Sequence, residues 1–592
     1  MSTPSLSNQE IARILYQIGE YLELQDVAFK PRAYERAARA LETLGAPAGD
    51  IYQKGGLKAL GEISGVGESI AQKIEELIRT GHLKYYEQLK EKLPMDVEAL
   101  SAIEGVGPKH IKQFWQKLKI KNVIDLEKAA KTGKLRTLER MSEKLEQKIL
   151  RSIEFHKTHG ARFFIGAILP EIRDIEKRLK NLQWTRNAAV AGSIRRRKET
   201  VGDADILATS DHSAKVMEFF INMPEVAEVL AHGDTKSMVR LHNGLELDLR
   251  VVPEESFGAA LQYFTGNKDH NVALRKIAIA RGWKLNEYGL FGVQGAGDRG
   301  QKQIAGRTEE EIYDKLGLAY IEPELREMTG ELEAAIRQAQ GKPNGLPKLI
   351  DYNDLKGDLQ TQTNWSDGEH SIEEMAKAAQ ARGLTYLAIT DHSKRLAMTG
   401  GLDEKKIKRQ WKEIDRVNRK LKGTRILKGS EVDILKDGSL DLPDAILAQL
   451  DVVGASVHSY FEMPRADMTK RLLRTIQNPH VDILFHPTGR VVNKRKPIEV
   501  DMEMLIKGAK KTGTVLEANA SERLDLKDEH IRMAVEAGVK IAIDSDAHSN
   551  AQFSLLEYGI AQARRGWATA EDVINTRTVD DMLLLLKGKR TK

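Results

Sequence analysis

The chain has 592 residues, more than a single hydrophobic core usually organises, so roughly three to five folded units are predicted. It contains no cysteine, which excludes disulfide bonds and thiolate metal sites and leaves His, Asp, Glu, amides and water as metal ligands. The net charge of +6 is small beside 92 Lys and Arg and 86 Asp and Glu residues, and it neither requires nor excludes nucleic acid.

No run of about 18 uninterrupted apolar residues is present, and the N-terminal sequence carries charges where a signal peptide would be apolar. We therefore expect a soluble, cytoplasmic protein that has no membrane partner and is monomeric.

Residues 8–150 are predicted to be almost wholly helical, because apolar residues recur at three- and four-residue spacing. Two segments, "ISGVGESIAQKIEEL" and "IEGVGPKHIKQFWQKL", share an apolar residue, Gly-Val-Gly and an amphipathic helix. The pairs Gly65/Gly67 and Gly105/Gly107 allow a tight turn, and the N–H groups that open the next helix can bind a phosphate. Ordinary helix hairpins are the alternative, but the repetition favours contacts to the DNA backbone, and both segments resemble helix-hairpin-helix elements.

Lys73 lies on the helix that follows the first glycine pair. An amine can form a Schiff base with an aldehyde sugar when burial or nearby cations lower its pKa. A solvated helix lysine is the alternative interpretation.

The segment "AVAGSIRRRKETVGDADILAT" predicts two strands around a Gly-Ser turn. Residues two apart on a strand point the same way, so Asp203 and Asp205 present both carboxylates on one face. In "LELDLRVV", Asp248 alternates with leucines on another strand. Three such carboxylates can hold two Mg²⁺ ions about 4 Å apart, which stabilises the attacking and leaving oxygens in phosphoryl transfer.

The turn itself is Gly192-Ser193, at the start of a helix, where a nucleotide triphosphate is expected to bind. Arg195, Arg196 and Arg197 follow and supply positive charge. The alternative is an acidic turn beside a solvated basic run, but the turn combined with three strand acids favours nucleotidyl transfer.

On these motifs the sequence resembles the family X DNA polymerases, which include DNA polymerase beta and bacterial members with an extra C-terminal domain, over essentially the whole chain. The resemblance implies that Asp203, Asp205 and Asp248 bind two Mg²⁺ ions and that Ser193 and Arg196 contact the triphosphate. It also implies a bacterial, nucleoid-associated enzyme whose partners are gapped or primer-template DNA and dNTPs.

Residues 263–275, "YFTGNKDHNVALR", match the family's segment that lines the sugar and base of the incoming nucleotide. The resemblance implies that the first two aromatic residues lie against the deoxyribose and disfavour a 2′-hydroxyl, and that a lysine replaces an acid of the animal relatives. The residues so assigned are Tyr263, Phe264, Gly266, Lys268 and Asn271 for the nucleotide and Arg275 for the template.

The resemblance also bears on the front end of the chain. Lys73 matches the Schiff-base lysine of the family's deoxyribose-phosphate lyase domain, and Tyr34 matches a residue near it. A neighbouring lysine of the animal enzymes is replaced by Ser69. Lyase activity is therefore an alternative role for this region, beside DNA binding alone.

After residue 350, apolar strand-like runs end repeatedly in polar residues, as α/β barrels place their active sites. Imidazoles and carboxylates that converge on one barrel face predict a metal site, whereas His370, His480 and His530 are interpreted as ordinary histidines. The strand-end residues are Asp391, His392, Glu431, His458, His486, Asp546 and His548.

This set resembles a PHP (polymerase and histidinol phosphatase) domain, a distorted barrel that binds up to three divalent metals and hydrolyses phosphoesters. The resemblance implies a 3′–5′ exonuclease, often active at abasic sites, with Mn²⁺ or Zn²⁺. The implied ligands are Asp367, His392, Glu431, His458, His486, Asp546 and His548.

The family's first His-x-His motif is here Gln360-Thr361-Gln362. A glutamine offers a neutral carbonyl oxygen, a poorer donor than imidazole for Mn²⁺ or Zn²⁺. We expect that the hydrolase lost its nucleolytic metal; the alternative is a pocket that tolerates glutamine with a hard ion such as Mg²⁺.

The predicted fold is multidomain, with helical helix-hairpin-helix domains, an α+β nucleotidyltransferase palm with a thumb-like subdomain, and a C-terminal α/β distorted (β/α)7 PHP barrel. The predicted boundaries are a lyase-like domain at 1–80, a second helix-hairpin-helix domain at 81–155, a palm at 156–255, a nucleotide- and template-binding subdomain at 256–320, a linker at 321–348 and the PHP domain at 349–592. The predicted function is gap-filling DNA polymerisation in base excision repair and end joining. A repair nuclease centred on the barrel and a non-enzymatic DNA-end-bridging module are the alternatives.

Overall fold

The computed structural model describes residues 8–590, apart from 25–26, 28–29, 43–47, 64, 94, 98–99, 101–102, 104–105, 140, 144, 148, 151–152, 154–161, 294–300, 396–398 and 494. The chain divides into two compact units. The first contains Met1–Arg162, Gly258–Tyr263 and Lys268–Thr308, and the second contains Phe163–Phe257, Phe264–Asn267 and Glu309–Lys592. Among the described residues, no helix is long and apolar enough to span a bilayer.

The N-terminal part of the first unit is helical, as the apolar spacing predicts. Buried apolar side chains recur every third or fourth residue along these helices and form one core. Examples are Ile11, Leu15, Ile74 and Phe114. The helices are α1 Asn8–Leu24, α2 Lys30–Glu42, α3 Ala48–Gly61, α4 Glu68–Thr80, α5 Lys84–Lys92, α6 Pro108–Gln113 with a π-helical turn Phe114–Leu118, α7 Val123–Lys131 and the 3-10 turn Leu135–Thr137.

The palm is a five-stranded sheet with the strand order β2-β4-β7-β6-β5. Only β4 and β7 are parallel neighbours, so both begin at the same edge of the sheet. Its elements, with the small pair β1 and β3, are β1 Phe163–Phe164, α8 Ile165–Lys180, β2 Thr185–Val190, α9 Gly192–Arg195, β3 Thr200–Val201, β4 Asp203–Ser210, α10 Ser213–Ile221, β5 Val226–His232, β6 Lys236–Leu241 and β7 Glu246–Val251.

Residues 254–315 contain two helices, a small antiparallel sheet of order β10-β9-β8, and a further helix. The elements are the 3-10 turn Glu254–Ser256, α11 Phe257–Thr265, α12 Lys268–Ala280, β8 Trp283–Asn286, β9 Gly289–Val293, β10 Gln301–Ala305 and α13 Glu309–Lys315.

The segment 321–348, for which the polar composition predicts a linker, is folded. It contains the 3-10 turn Pro323–Leu325 and α14 Glu331–Ala339, whose Leu332 and Ala335 are buried. Arg326 is 0% exposed and pairs with the Glu309 carboxylate at 2.6 Å. A buried charge of this kind is tolerated only with a partner, so the segment packs against the domains it connects.

The C-terminal region is a seven-stranded parallel barrel in sequential order from β11 to β17. The Gln362 N–H donates to the Ala547 carbonyl at 2.8 Å, so the residue after β11 pairs with the segment after β17. The carboxyl ends of all seven strands therefore meet on one face. The predicted fold class is confirmed.

The strands of the barrel are β11 Gly357–Thr361, β12 Tyr386–Ile389, β13 Arg425–Asp433, β14 Val452–Ser456, β15 Ile483–Leu484, β16 Val515–Asn519 and β17 Ile541–Asp544. The helices are α15 Ile372–Ala381, α16 Glu404–Asn418, α17 Asp444–Leu447, α18 Arg465–Ile476, α19 Met502–Thr512, α20 Asp528–Ala537, α21 Leu556–Arg565 and α22 Val579–Arg590, with 3-10 turns at Asn550–Leu555 and Ile574–Thr576.

Candidate active sites

Three carboxylates of the palm lie on the neighbouring parallel strands β4 and β7. In the strand register Asp205 is directly opposite Asp248, and Asp203 precedes Asp205 by two residues on the same strand. Ala204 between them is buried, so the two acids share the opposite face. The fold therefore brings the three predicted acids to one edge of the sheet.

The three acids place excess negative charge around Asp205, which is partly buried, whereas Asp203 is exposed. Burial, with added repulsion from Asp203 and Asp248, raises the pKa of Asp205 to about 7. Lys236 Nζ and Arg250 Nη2 lie 3.4 and 3.7 Å from Asp248 Oδ2 and offset only part of this charge. Oxygen-only donors of this charge fit divalent cations such as Mg²⁺.

The turn before β4 packs directly on these acids. Gly192 has φ +64°, and a Cβ atom there would approach Asp205 Oδ2 to 2.6 Å, so no other residue fits without displacement. The next residue, Ser193, has a buried hydroxyl oxygen with no hydrogen-bond partner among the described residues. A buried polar atom left unpaired in this way is suited to a ligand oxygen.

The three consecutive arginines have different partners. Arg195 binds both Glu309 oxygens, at 2.9 and 2.6 Å, and therefore ties the turn to α13. Arg196 Nε contacts Glu327 Oε1 at 2.9 Å, and its Nη1 donates to the Thr265 carbonyl. Arg197 lies over the Tyr352 ring at 5.7 Å.

The residues assigned to the nucleotide's sugar and base fall in both compact units. In the second unit, the Arg250 guanidinium lies 4.6 Å from the centre of the Phe264 ring, and Gly266 is buried with φ +68°. In the first unit, the Asn271 amide donates to the Tyr263 carbonyl at 2.6 Å and accepts from Gln262 at 2.7 Å.

Two further residues of this segment lie on α12 in the first unit. Arg275 Nε donates to the Asn271 carbonyl at 3.4 Å, one turn earlier. Lys268 is exposed at the first position of the helix. These contacts describe each residue within its own unit.

The two glycine hairpins precede helices, as predicted. Gly65 has φ +89°, Gly67 is the residue before α4, and Gly107 is the residue before α6. Within the described part of the chain, no side-chain hydrogen bond caps α4 at Gly67, which leaves this helix start without a side-chain cap. Gly105 lies outside the described residues.

Lys73 on α4 has an environment that favours its neutral amine. Burial, with repulsion from Lys30, lowers its pKa. Its Nζ donates to the Ser69 carbonyl and hydroxyl, each at 3.0 Å, and lies 4.9 Å from the Tyr85 ring centre. Burial and the Tyr85 phenol raise the pKa of Tyr34, so Tyr85 interacts with both residues that the family resemblance selects.

Glu431, on β13, is the centre of the polar cluster in the barrel. Its carboxylate oxygens lie 2.9 Å from His486 Nε2, 3.1 Å from His458 Nε2 and 3.4 Å from His392 Nδ1. Burial acts against its ionisation, but His392 and His458 hold its pKa well below the usual range. Ser456 also donates to it at 2.7 Å.

The histidines of this cluster differ in protonation. Burial would lower the pKa of His458, but hydrogen bonds to Asp433 and Glu431 raise it to about 9. Burial, with repulsion from Arg523, lowers the pKa of His486 to about 4. One imidazole is thus cationic and the other neutral at neutral pH.

Two overlapping groups of side chains have the donor types and spacing of a divalent-metal site. In each group the ligand atoms lie within 4.8 Å of one another. One group is Asp367, His392 and His548, and the other is His392, Glu431 and His458. Mixed imidazole and carboxylate donors fit Mn²⁺ or Zn²⁺.

Asp546 and the glutamines lie beside these groups. Asp546 Oδ2 accepts from the Asn519 amide at 3.3 Å and from Arg523 at 3.4 Å. Asn519 also donates to the Gln360 carbonyl oxygen at 3.1 Å, and the buried Gln360 amide nitrogen has no partner among the residues that the structure describes.

Gln362, 0% exposed, turns its amide nitrogen toward Glu431 Oε2 at 2.9 Å, and its carbonyl oxygen is buried without a partner among the described residues. A metal ligand must present the oxygen, so this amide would have to turn over and give up its bond to Glu431.

Sequence reasoning missed several buried acids below the metal cluster. Burial raises the pKa of Asp358 to about 7 and raises the pKa values of Glu517 and Asp544 well above their usual range. Glu517 and Asp544 directly follow apolar residues in buried strands, and an acid in such a run is the signal that would have found them. Asp433, which bonds His458 at 3.2 Å, follows Glu431 by two residues on β13.

Family models match four parts of the chain: a helix-hairpin-helix domain at residues 6–83, a SAM-like helix-hairpin-helix tandem at 97–154, the DNA polymerase beta thumb at 260–327 and the PHP domain at 358–514. The chain is 38% identical over 586 residues to the DNA polymerase/3'-5' exonuclease PolX of Bacillus subtilis, covering 98% of this chain and 100% of that protein. The chain belongs to the bacterial family X DNA polymerases with a C-terminal PHP domain.

Two other relatives match parts of this family X polymerase. A protein of Thermoanaerobacter named as a probable phosphatase is 32% identical over 250 residues, covering 40% of this chain and 96% of the relative. DNA polymerase lambda of Rattus norvegicus is 24% identical over 348 residues, covering 54% of this chain and 56% of the relative. Polymerases and PHP domains use divalent metals, in agreement with both acidic clusters.

The Asp205 environment predicts a pH-dependent stability. Its pKa is about 7 in the folded chain and about 3.9 in the unfolded chain, so the folded state binds more protons in between and loses stability as pH rises toward 7. In EDTA, Asp205→Asn should raise Tm at pH 8, and the gain should vanish near pH 4. The measurement is thermal unfolding between pH 4 and 8.

Asp234→Asn removes an exposed carboxylate of the same domain and serves as the control for the loss of one negative charge. A gain from Asp205→Asn that stays constant from pH 4 to 8 would contradict the prediction.

Proposed function

We propose that this family X polymerase fills short gaps during DNA repair, with two Mg²⁺ ions held by Asp203, Asp205 and Asp248. The ions, when bound, neutralise charge on the reacting phosphate and on the attacking and leaving oxygens. The observation that carries the proposal is the cluster of three aspartates on β4 and β7, in which Asp205 is partly buried and the negative charge is only partly offset.

The chain's own residues orient the reactants. The primer 3′-oxygen forms a bond to the α-phosphorus, the bond from that phosphorus to the bridging oxygen breaks, and pyrophosphate leaves with the electron pair. We assign to Asp248 the proton of the 3′-hydroxyl, because it lies opposite Asp205 on the adjacent strand.

The unpaired Ser193 hydroxyl and Arg196 are proposed to bind the triphosphate. Tyr263 and Phe264 are proposed to contact the deoxyribose. Asn271 is assigned to the minor-groove edge of the new pair and Arg275 to the template. Gly266 and Lys268 are also assigned to the nucleotide.

The two glycine hairpins are proposed to bind the DNA backbone on either side of a gap. Gly65, Gly67 and Gly107 give the tight turns that such contacts need, and Gly105 is assigned the same role. We place the domain boundaries of this polymerase at residues 80, 155, 255, 320 and 348.

Ser193→Ala should raise the KM for dNTP by about 10- to 100-fold with a smaller change in kcat, because it removes one hydrogen bond to a charged oxygen. Asp248→Asn should lower kcat by about 1,000-fold or more. The measurement is steady-state incorporation on DNA with a one-nucleotide gap, in Mg²⁺.

The control for this experiment is Ser210→Ala, on the same strand as Asp205, whose hydroxyl donates to the Trp184 carbonyl. An unchanged KM in Ser193→Ala would remove that serine from the nucleotide site, and full activity in Asp248→Asn would overturn the metal assignment.

We further propose that the PHP domain retains divalent metal at its histidine groups but has weakened 3′–5′ exonuclease and abasic-site activity. The Gln362 amide donates to Glu431 instead of presenting its oxygen, and this supports weak binding at the position served by Gln360, Gln362 and Asp546. His486 is assigned as a further ligand beside Glu431.

The variant Gln360→His/Gln362→His should bind one additional Mn²⁺ per chain and release nucleotides from a labelled primer faster than the unaltered protein. The gain is expected because imidazole is the stronger donor. Metal is counted by mass spectrometry after equilibration and gel filtration, and nucleotide release is measured in parallel.

The matched control is Gln360→Met/Gln362→Met, which keeps the volume and removes the amide oxygens. Reduced metal content in this control would show that the glutamines bind a hard ion. Fast release by the unaltered protein, equal to that of the histidine variant and retained in Asp203→Ala, would favour the repair nuclease instead.

A second candidate activity is deoxyribose-phosphate lyase chemistry at Lys73. The lowered pKa of Lys73 leaves a larger share of nucleophilic amine, which forms a Schiff base with an aldehyde sugar. Ser69 accepts from the amine and Tyr85 faces it, so both are proposed as its positioning residues.

Borohydride should trap the chain covalently on DNA that carries a 5′-deoxyribose phosphate, and Lys73→Ala should reduce trapping at least 10-fold. The control is Lys84→Ala, which changes a lysine on α5 in the same compact unit. Equal trapping by both variants would assign the adduct to another amine.

A further inference from the structure

Arg565, the last residue of α21 in the PHP region, reaches the nucleotide turn of the palm. Its Nη1 donates to the backbone carbonyl of Arg196 at 2.9 Å and lies 3.2 Å from Glu327 Oε1. Its other terminal nitrogen, Nη2, pairs with Asp528 on α20. The side chain is 3% exposed, so these contacts are desolvated.

Glu327 is the shared partner of this contact. One of its oxygens accepts from Arg196 Nε at 2.9 Å and from Arg565, and the other lies 3.7 Å from Lys198 Nζ and 3.1 Å from the Asn267 amide. Burial would raise the pKa of Glu327, but Arg565, Arg196 and Lys198 hold it below the usual range. The carboxylate is therefore ionised.

Arg196 is oriented on two sides by this arrangement. Its Nε donates to Glu327 and its Nη1 donates to the Thr265 carbonyl. Its Nη2 makes no hydrogen bond within the described part of the chain. The guanidinium thus has one terminal nitrogen left for an anion. A planar donor group held by its other nitrogens is restricted in rotation before the ligand arrives.

The charges around Arg196 favour the binding of an anion. Arg196, Lys198 and Arg565 face the two carboxylates Glu327 and Asp528, so one positive charge remains unbalanced. Without Arg565, the Glu327 carboxylate would have fewer cations to bind and would attract Arg196 more strongly.

We infer that Arg565 is a positioning residue of the polymerase site: the PHP domain, through Arg565 and Glu327, presets Arg196 to receive the dNTP triphosphate. The inference deepens the proposed function and rests on the assignment of Arg196 to the triphosphate. It gives the barrel a part in nucleotide binding that does not depend on its own metal site.

Arg565→Gln in the full-length chain should raise the KM for dNTP by about 5- to 50-fold and change kcat less than threefold, because a ground-state contact is weakened. Arg565→Lys should recover little, since an ammonium cannot span the Arg196 carbonyl, Glu327 and Asp528 together. The assay is one-nucleotide gap filling with Mg²⁺.

The adjacent Arg564 provides the matched control. It lies on the same helix, is 8% exposed, and bonds Glu324 and the Ile350 carbonyl, each at 2.8 Å, without touching the nucleotide turn. Arg564→Gln loosens the same docking region and should leave the KM for dNTP unchanged. Tm is measured for both variants, so that lost stability is separated from lost positioning.

Arg196→Gln distinguishes a failure of the triphosphate role of Arg196 from a failure of the positioning role of Arg565. An unchanged KM in Arg196→Gln would sink the proposed triphosphate role. A raised KM in Arg196→Gln, combined with equal KM values for Arg565→Gln and Arg564→Gln, would overturn the positioning role alone. In the Arg196→Gln background, Arg565→Gln should add less than twofold, because both changes act through one guanidinium.

Discussion

Both catalytic regions depend on the same constraint: carboxylates gathered where water is scarce must be balanced by positive charge. In the palm, Asp205 lies opposite Asp248 across parallel strands, and the nearby Lys236 and Arg250 reduce the repulsion only in part. In the barrel, Glu431 is balanced by imidazoles. The palm aspartates are therefore left with a demand for cations, whereas Glu431 is offset largely by the neighbouring imidazoles.

This difference gives the two glutamines of the first motif a large effect on the charge balance around Glu431. A histidine in place of Gln362 can face a metal with a lone pair, whereas the amide presents N–H groups to Glu431 and satisfies it without an ion. The second glutamine of the motif is thereby engaged in a hydrogen bond to Glu431. The imidazoles of His392, His458 and His548 lie in the two groups that have the spacing of a metal site.

Sequence patterns found the features that periodicity controls. Strand alternation selected Asp203, Asp205 and Asp248, and the ends of apolar runs selected the barrel residues, because parallel strands must end on one face. The role of residues 321–348 was harder to predict, since their polarity reflects ion pairs such as Arg326 with Glu309 rather than solvation.

Long-range pairing was beyond sequence reasoning. Glu327 and Arg565 are 238 residues apart, and nothing in their local patterns links them. The direction of the Gln362 amide was likewise unpredictable, because it is set by the charge on Glu431 and not by spacing. Helix and strand patterns specify the face of an element on which a residue lies. Its hydrogen-bond or ion-pair partner depends on how that element packs against others.

The folded segment around Arg326 has a consequence for how DNA is handled. Because Glu324 and Glu327 bind Arg564 and Arg565 from α21, and Glu327 also binds Arg196 of the palm, this segment joins the palm to the barrel through ion pairs. Neither catalytic face can swing toward the other without breaking those pairs. A mispaired 3′ end would therefore have to separate from its template and move from the palm to the barrel by itself. The stability of base pairing at the primer terminus, and not domain movement, would then govern how often a nucleotide passes from the polymerase site to the nuclease site.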